Sequence, residues 1–258
     1  MATDSPTIHT IPPTAPHTHT IIFLHGRDSL APEFASELFE SQASSGLTLP
    51  QLLPSWRWVF PGAGRRPSAR FGQALRQWFD VWSVEEPEAR KELQRPGLAE
   101  SVEGLLAVVE REAEVVGWRR VVLAGISMGC ATAVHVLLRG GQRVGAFVGL
   151  CGWLPLAAEV EGVAGCETVE ERGRRLRGLL PGRSTVGGDG VNGAWETPVL
   201  LKSCEDDDMV PIRNGERLCK GLRGLGMVVE WHAYVDGGHW INEPKGVDDM
   251  VAFLKREC

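Results

Sequence analysis

The amino-acid sequence predicts an α/β fold with a mostly parallel central sheet and helices on both of its faces. Three observations lead to this prediction. Short, continuous apolar runs alternate along the chain with segments whose apolar residues recur at helical spacing, which is the pattern of successive βαβ units. The apolar runs lack polar alternation, as expected for strands that are covered on both faces. One apolar run passes through a glycine-bounded turn directly into a helix.

Six apolar runs are predicted to be strands, and four helical segments lie between or after them. The predicted strands are Ile21–His25, Trp56–Phe60, Arg120–Ile126, Ala146–Leu150, Pro198–Ser203 and Val228–Val235. The predicted helices are Ser101–Val116, Met128–Arg139, Arg213–Gly224 and Val247–Arg256. Because strand and helix signals continue without a linker, we expect a single domain over residues 20–258. Residues 1–19, which are rich in Thr, Pro and His, are expected to be a flexible N-terminal lead-in.

Composition and charge narrow the functional classes. The formal net charge of −6 argues against binding to nucleic acid or to an anionic membrane surface, because both select for basic patches. The six cysteines show no CxxC spacing, so we expect free thiols in a reducing, cytoplasmic compartment and no metal site. We find neither an apolar secretory signal nor an apolar run of membrane-spanning length.

The segment Gly125–Gly129 contains the pattern Gly-x-Ser-x-Gly, with Ser127 at its centre. The pattern alone is weak evidence in a chain with 31 glycines. Here, however, a predicted strand enters it and a predicted helix leaves it, which is the arrangement of a nucleophile elbow. Such a turn exposes the serine hydroxyl at a helix N-terminus, where unpaired N–H groups favour a developing negative charge. The alternative is an ordinary strand-to-helix turn in which the serine caps the helix.

A nucleophilic serine needs a neighbouring base, which follows it in chain order in folds with such an elbow. Downstream of Ser127 the histidines are His135, His232 and His239. The first lies within a predicted helix and the second within a predicted strand. His239 follows the last predicted strand in a Gly-Gly loop, from which its ring can reach the sheet edge. His239 is therefore the candidate base.

An acidic residue is expected to orient this base and to stabilise its charged form. The predicted strand Pro198–Ser203 runs into four consecutive acidic residues, Glu205–Asp208. One of the four is expected to be the acid, and the cluster as a whole is expected to be a solvated loop. Spacing alone does not choose among them.

Together these segments resemble the acyl-protein thioesterase/carboxylesterase family of α/β-hydrolases, also called the phospholipase/carboxylesterase family. The resemblance runs from about residue 20 to residue 255, and its motifs occur in the order of the family. They are the first strand with its His-Gly turn, Ile21–Gly26; the segments Phe60–Ala63 and Trp78–Asp80; the elbow Gly125–Gly129; the Trp-Leu-Pro segment Gly152–Leu156; the Asp-x-x-Val-Pro segment Asp207–Pro211; and the loop Gly238-His239.

The resemblance implies an α/β-hydrolase fold, a serine hydrolase without metal or organic cofactor, and roles for particular residues. It assigns the acid to the aspartate three residues before Val-Pro, which is Asp207, with Asp206 as the fallback. It places the oxyanion hole at the backbone N–H groups of Arg27 and Met128. The second of these donors agrees with the expectation from the elbow, because it lies at the helix N-terminus.

Two aromatic segments carry different expectations. Trp153 follows the end of a predicted strand, where substrate contacts usually lie, and it is a candidate wall of the acyl pocket. The segment Trp78–Asp80 is expected to have a structural role through buried aromatic side chains.

The chain departs from the family pattern at three places. The position after His-Gly is Arg27, where the family more often has an apolar residue; its charge either favours an acidic, carboxylate-bearing substrate or points into water. Ser203-Cys204-Glu205 stands where the family usually has His-Gly-Asp. The stretch between Trp153 and Pro198 is longer than in compact members, so residues 157–194 are interpreted either as a lid-like insertion over the sheet edge or as a surface insertion.

The leading hypothesis is hydrolysis of a carboxylic ester or thioester through an acyl-enzyme on Ser127. The substrate classes are S-acyl groups on lipidated proteins, short-chain esters and lysophospholipids. The long insertion favours a divergent relative over a general protein deacylase. Two alternatives use the same scaffold: a non-catalytic ligand-binding protein, and an acyltransferase or pathway thioesterase with the same triad.

Overall fold

The computed structural model describes residues 7–180 and 193–258. The strands of its central sheet are β1 (Ile8–Ile11), β2 (His19–Leu24), β3 (Trp56–Pro61), β6 (Val121–Ile126), β7 (Ala146–Leu150), β8 (Val199–Cys204) and β9 (Val229–Tyr234). Their spatial order is β1-β3-β2-β6-β7-β8-β9. Every neighbouring pair is parallel except β1 and β3, which are antiparallel. A separate hairpin consists of β4 (Arg65–Ser68) and β5 (Gln73–Arg76).

Helices cover both faces of the sheet. In the described residues they are α1 (Ala31–Glu40), α2 (Leu49–Leu52), α3 (Gln94–Val116), α4 (Met128–Gly140), α5 (Ala157–Ala164), α6 (Val169–Leu179), α7 (Ile212–Gly224) and α8 (Lys245–Glu257). Alternate residues of each central strand point to opposite faces. In β2, Ile22 and Leu24 therefore join a core beneath α3 to α7, whereas Ile21 and Phe23 join a second core beneath α1, α2 and α8.

The predicted fold class is confirmed by this architecture. All six predicted strands are present, with bounds that shift by one or two residues, and the four predicted helices lie between or after them. The strands could be predicted because burial on both faces requires apolar residues at nearly every position. In β6, for example, every residue is buried.

The N-terminal segment differs from its prediction as a flexible lead-in. Ile8–Ile11 form β1 and pair with β3, with Ile8 opposite Pro61 and Ile11 opposite Trp58. The expectation of flexibility is wrong for these residues because the backbone groups of an edge strand accept a partner of almost any composition. The sequence around β1 is polar and rich in proline, so it did not indicate a strand. The partner that forms the hydrogen bonds of β1 is β3, which lies far from it in sequence.

Some of the secondary structure was not predicted from the sequence. Helix α1 and the β4–β5 hairpin lie in stretches for which no element was predicted, and α3 begins at Gln94 rather than at Ser101. Helix α1 buries Phe34 and Leu38, one helical turn apart, against the second core. A four-residue spacing of apolar residues is a helical signal, so the sequence contained an indication of this helix.

The region interpreted as a lid-like insertion contains α5 and α6. Val160 of α5 and Leu176 of α6 are buried in the core on the α3–α7 face. Arg95 of α3 connects both helices of this region to the helical layer. Its guanidinium donates hydrogen bonds to the Leu179 carbonyl at 2.7 Å and to Glu159 at 2.9 Å. The described part of the insertion is thus packed on the helical layer. Residues 181–192, the remainder of the predicted lid, lie outside the described residues.

The helices of the described residues also bear on membrane association. None of them combines the length and the apolar character that crossing a membrane requires.

The sheet and α4 approach each other closely at two glycines. A Cβ atom on Gly125 of β6 would lie 2.5 Å from the carbonyl carbon of Gly129, and one on Gly129 would overlap the Leu24 carbonyl oxygen and lie 2.6 Å from that of His25. Glycine is therefore required at both positions by backbone contact. This contact brings the first turn of α4 against the end of β2.

We expect Gly129→Ala to lower the free energy of unfolding by about 3 kcal/mol, because the added methyl group meets backbone that cannot rotate away. The measurement is urea unfolding followed by tryptophan fluorescence. The matched control is Gly104→Ala on α3, where an added Cβ meets no atom within 4 Å. This substitution should raise the free energy of unfolding by about 0.5–1 kcal/mol, since alanine favours helices. Equal effects of the two substitutions would contradict the close approach.

Candidate active site

The candidate residues meet at the carboxyl edge of the sheet, where the strand order reverses direction. From β2 the chain first adds β3 on one side and later β6 to β9 on the other. The loops that follow β2 and β6 therefore diverge and leave a crevice between them, which is where ligands bind in open α/β sheets. Arg27 follows β2, and Ser127 follows β6 directly. The sheet topology thus brings these two residues together.

Ser127 has the strained backbone of a sharp strand-to-helix turn. Its φ of 56° and ψ of −126° lie outside the regions that L-residues usually adopt. The turn is held from both sides: the Ser127 N–H donates to the Leu150 carbonyl at 2.9 Å, and its carbonyl accepts from the Ala131 N–H at 3.0 Å. Surrounding hydrogen bonds therefore fix the serine, which is only partly buried.

The turn after β2 is held next to Ser127 by the buried side chain of His25. The Ala63 N–H donates to His25 Nε2 at 3.0 Å, so the ring proton lies on Nδ1, which donates to the Gly26 carbonyl at 2.7 Å. The Trp78 indole N–H donates to the His25 carbonyl at 2.9 Å. Burial lowers the pKa of His25, which favours this neutral form. A Cβ on Gly26 would lie 3.4 Å from the Ser127 Cβ.

These contacts place the two predicted oxyanion donors beside the serine. Arg27 and Met128 line the same pocket as Ser127. Met128 is the first residue of α4, so its N–H has no acceptor within the helix. The segment Trp78–Asp80 has the predicted structural role, because its tryptophan anchors the turn after β2 and Phe79 is fully buried.

His239 and Asp207 form a hydrogen-bonded pair below the pocket. The distance between His239 Nδ1 and Asp207 Oδ2 is 2.7 Å. Because an ionised carboxylate only accepts hydrogen bonds, the ring proton lies on Nδ1 and Nε2 is left as the acceptor. The Asp207 side chain is fully buried, while that of His239 is 19% exposed. This is the arrangement in which an acid holds a histidine in the tautomer of a general base.

Asp207 also accepts two backbone hydrogen bonds from the loop that follows it. Its Oδ1 accepts from the N–H groups of Met209 at 2.9 Å and Val210 at 2.8 Å. Burial acts to raise the pKa of Asp207, but the hydrogen bonds from His239 and from these two N–H groups outweigh it and lower the pKa below its ordinary value of 3.8. The carboxylate is therefore charged at neutral pH.

Asp206 has a different position from Asp207. Its exposed carboxylate accepts from the N–H groups of Gly238 at 2.8 Å and Gly237 at 3.2 Å. Both glycines have positive φ, 123° for Gly237 and 60° for Gly238. Asp206 thus closes the loop that carries His239, and the contact with the imidazole is made by Asp207. The sequence contained both aspartates, but their opposite orientations follow from the loop conformation.

The other downstream histidines lie elsewhere. His135 is buried within α4, where Nε2 contacts the Pro155 carbonyl at 2.9 Å and burial lowers its pKa to about 4. His232 lies on β9 between Glu230, at 2.8 Å, and Asp249, at 3.1 Å. Neither lines the pocket beside Ser127.

The pocket above the serine is mainly apolar and has a volume of about 230 Å³. Trp153, the candidate wall of the acyl pocket, lines it and packs edge-on against Phe79. The sequence did not identify five further apolar lining residues, because they come from α1 and from three separate loops. These residues are Phe34, Val84, Met209, Val210 and Trp240. Glu37 of α1 is an anionic lining residue.

Ligand-type atoms of Cys151, Asp207 and His239 lie within 4.8 Å of one another. Thiolate, carboxylate and imidazole together are a donor set that suits Zn²⁺. His239 Nδ1 and Asp207 Oδ2, however, already form the 2.7 Å hydrogen bond with each other, so a metal ion would have to displace the proton between them. The cysteines themselves are free, and all except Cys258 are buried.

The phospholipase/carboxylesterase family model matches residues 6–170. Acyl-protein thioesterase 1 of Yarrowia lipolytica is 31% identical over 148 residues, which cover 57% of this chain and 62% of that protein. Acyl-protein thioesterase 1 of Gibberella zeae is 25% identical over 251 residues, with coverages of 95% and 93%.

The fold has a close counterpart among solved structures. The crystal structure of Zea mays acyl-protein thioesterase 2 superposes with a TM-score of 0.73 at 24% identity, over 97% of this chain and 98% of that chain. Likeness at this level of identity concerns the fold. The α/β-hydrolase fold that the sequence predicts is therefore confirmed.

We expect the Asp207 carboxyl group to titrate below its ordinary pKa of 3.8, and this pKa to rise in His239→Ala, which lacks the side-chain donor. The measurement is carbon NMR of the side-chain carboxyl groups across the acid range. Because the folded-state pKa is lowered, the stability that Asp207 contributes is complete above about pH 4 and is lost as pH falls through the folded-state pKa. An unchanged Asp207 pKa in His239→Ala would contradict the hydrogen bond; Asp206→Asn serves as the control.

Proposed function

Because this chain belongs to the phospholipase/carboxylesterase family, we propose that it cleaves carboxylic esters and thioesters through an acyl-enzyme on Ser127. Cleavage of ester or thioester bonds is the chemistry of the family, and Ser127, His239 and Asp207 are the residues to which we assign it. The observation that carries it is the 2.7 Å hydrogen bond from His239 to Asp207 at the floor of the pocket that Ser127 lines. Hydrolysis is favoured over ligand binding alone and over acyl transfer.

In the acylation step, Ser127 Oγ attacks the carbonyl carbon of the substrate while His239 Nε2 accepts the hydroxyl proton. The carbonyl oxygen becomes an oxyanion and accepts hydrogen bonds from the backbone N–H groups of Arg27 and Met128. Asp207 holds the imidazole and stabilises its charged form. The tetrahedral intermediate collapses, His239 gives its proton to the leaving alcohol or thiol, and Ser127 keeps the acyl group.

In the deacylation step, a water molecule takes the place of the leaving group. His239 removes its proton as it attacks the acyl carbon, and the same two N–H groups bind the second oxyanion. His239 then returns the proton to Ser127 Oγ, and the carboxylic acid departs. These steps consume one water molecule and need no metal or organic cofactor.

The pocket supports a preference for short acyl groups. Its volume of about 230 Å³ is below the 300–1,000 Å³, roughly, of pockets that enclose drug-sized ligands. Trp153 forms the wall against which the acyl group packs. We therefore place short-chain esters and thioesters ahead of long-chain lipidated proteins as substrates. The six free thiols support a reducing compartment such as the cytoplasm.

We expect Ser127→Ala to lower kcat/KM for ester hydrolysis by at least about 10,000-fold, because removal of the nucleophile leaves only the oxyanion hole and binding. The measurement is release of 4-nitrophenol from 4-nitrophenyl butyrate. Circular dichroism and thermal unfolding of the variant establish that its fold is intact. Activity of a folded Ser127→Ala close to that of the parent would exclude the acyl-enzyme on this residue.

We expect Asp207→Asn to lower kcat by about 1,000- to 10,000-fold, because the amide no longer fixes the imidazole tautomer. Asp206→Asn is the matched control, since it removes an adjacent carboxylate whose hydrogen bonds within residues 7–180 and 193–258 come from backbone N–H groups. Its effect should remain within about tenfold, as expected for a loop support. A larger loss for Asp206→Asn than for Asp207→Asn would reverse the assignment of the acid.

We expect kcat/KM to peak at acyl chains of about four to eight carbons, because the pocket is small. The measurement is hydrolysis of an acyl series in which each chain is presented as an oxygen ester and as a thioester, with Ser127→Ala as the blank. Trp153→Ala should move the peak toward longer chains by enlarging the pocket. A peak at sixteen carbons in the parent protein would contradict this and would favour lipidated proteins as substrates.

A further inference from the structure

The guanidinium of Arg27 lies at the rim of the pocket in an unusual electrostatic setting. Arg27 lines the same pocket as Ser127, and its side chain packs over the ring of Phe71, with Cζ 5.1 Å from the ring centroid. The opposing cation is Arg70, whose Cζ lies 5.7 Å from the same ring. Phe71 belongs to the turn of the β4–β5 hairpin and is 48% exposed. Two cations, one from the turn after β2 and one from the hairpin, thus lie around one aromatic ring beside the nucleophile.

These two arginines have no ion-pair partner within residues 7–180 and 193–258. The carboxylates whose negative charge acts to raise the pKa of Arg27 are those of Asp28 and Asp80. Both are engaged by backbone: Asp28 Oδ1 accepts from the Arg76 N–H at 3.4 Å, and Asp80 Oδ2 accepts from the Ala69 N–H at 3.0 Å. Each of these carboxylates uses one oxygen for the backbone of the hairpin region, and neither forms an ion pair with Arg27, although both attract its charge from a distance.

The surroundings of the Arg27 guanidinium destabilise its positive charge. Burial and the like charge of Arg70 both lower the pKa of Arg27, which means that the surroundings disfavour its positive charge. Two cations held close together without counter-ions are typical of a surface that binds an anion. Arg70 is held in place by its hydrogen bond to the Trp82 carbonyl at 2.9 Å, and Phe71 supports the plane of Arg27.

We infer that Arg27 and Arg70, supported by Phe71, form an anion subsite that selects substrates with a carboxylate or phosphate group close to the scissile bond. This inference rests on the proposed hydrolysis and names its substrate class. The reaction itself is unchanged: the subsite binds a group that does not react, and its binding free energy positions the carbonyl. The Arg27 backbone N–H serves the oxyanion, while its side chain serves the anion of the substrate.

The rest of the pocket fixes the side on which the anion binds. Glu37 of α1 lines the pocket and repels an anion there. The interior beside Trp153 is apolar, so a charge would be left there without a partner. The hairpin side is the remaining direction, and it carries the two cations. The expected substrate is thus a short apolar acyl unit with an anionic group directed toward the β4–β5 turn.

The test compares matched thioesters that differ only in the anionic group, with released thiol as the common readout. The acyl arm uses the adipoyl monothioester of N-acetylcysteamine against its methyl ester. The leaving-group arm uses 3-(butanoylthio)propanoate against its methyl ester. The phosphate arm uses 2-(butanoylthio)ethyl phosphate against the free alcohol. The quantity measured in each pair is kcat/KM for the anionic member divided by kcat/KM for its neutral counterpart. Changes that affect catalysis of both members equally cancel in this ratio.

We expect a ratio above one in the parent protein for at least one arm, and a fall of about 10- to 100-fold in Arg27→Gln, the range for hydrogen bonds to charged groups. Arg27→Lys should recover part of the ratio, and Arg70→Gln should lower it less. Added salt should reduce it, because the subsite is partly exposed. The control is Arg119→Gln, an exposed arginine at the opposite end of the sheet, which should leave the ratio unchanged.

The outcomes separate this inference from the proposed hydrolysis. A ratio of one or below in all three arms, or a ratio unaffected by Arg27→Gln, overturns the anion subsite while leaving hydrolysis intact. Calorimetric binding of each thioester to Ser127→Ala tests the subsite independently of turnover. Tighter binding of the anionic member that disappears on adding Arg27→Gln supports it, even where no member is hydrolysed; equal binding of both members overturns it.

Discussion

The contact between the first turn of α4 and the end of β2 is the constraint on which the site depends. Gly129 lies against the carbonyl groups of Leu24 and His25, at a separation that no side chain would permit. Because of this contact, the elbow at Ser127 and the turn at Gly26 lie side by side. The positions of both predicted oxyanion donors follow from it, since one begins the helix and the other continues the turn. The hydrogen bonds of His25 then hold the turn after β2 in place.

Backbone strain is concentrated where the strands end. Asp28, Ser127 and Cys151 all have positive φ, and they follow β2, β6 and β7. Each such residue costs about 1–3 kcal/mol and persists only where its surroundings fix it. Here the surroundings are a sheet buried on both faces by two layers of helices. The stability of that sandwich offsets the strain, and the strained turns in return direct a hydroxyl group and N–H groups toward one crevice.

The charged groups of the site fall into two kinds with opposite environments. The Asp207 carboxylate accepts three hydrogen bonds, so its charge is fully compensated and serves to orient His239. The guanidinium of Arg27 rests on an aromatic ring beside a second cation. A compensated charge maintains geometry, whereas an uncompensated one at a pocket rim can be neutralised by a ligand. In the proposed function, the charge of Asp207 serves the chemistry and that of Arg27 serves recognition of the substrate.

The sequence by itself determined the buried strands, the elbow and the candidate base. Apolar runs must be continuous in strands covered on both faces, and a Gly-x-Ser-x-Gly turn between a strand and a helix has little freedom in structure. Tertiary structure decided which acid faces His239, because Asp206 and Asp207 are adjacent in sequence and only the loop conformation turns them apart. It also decided that β1 is ordered and that Arg27 meets Phe71. These features depend on backbone pairing and on distances between loops, which strand order sets and local composition does not encode.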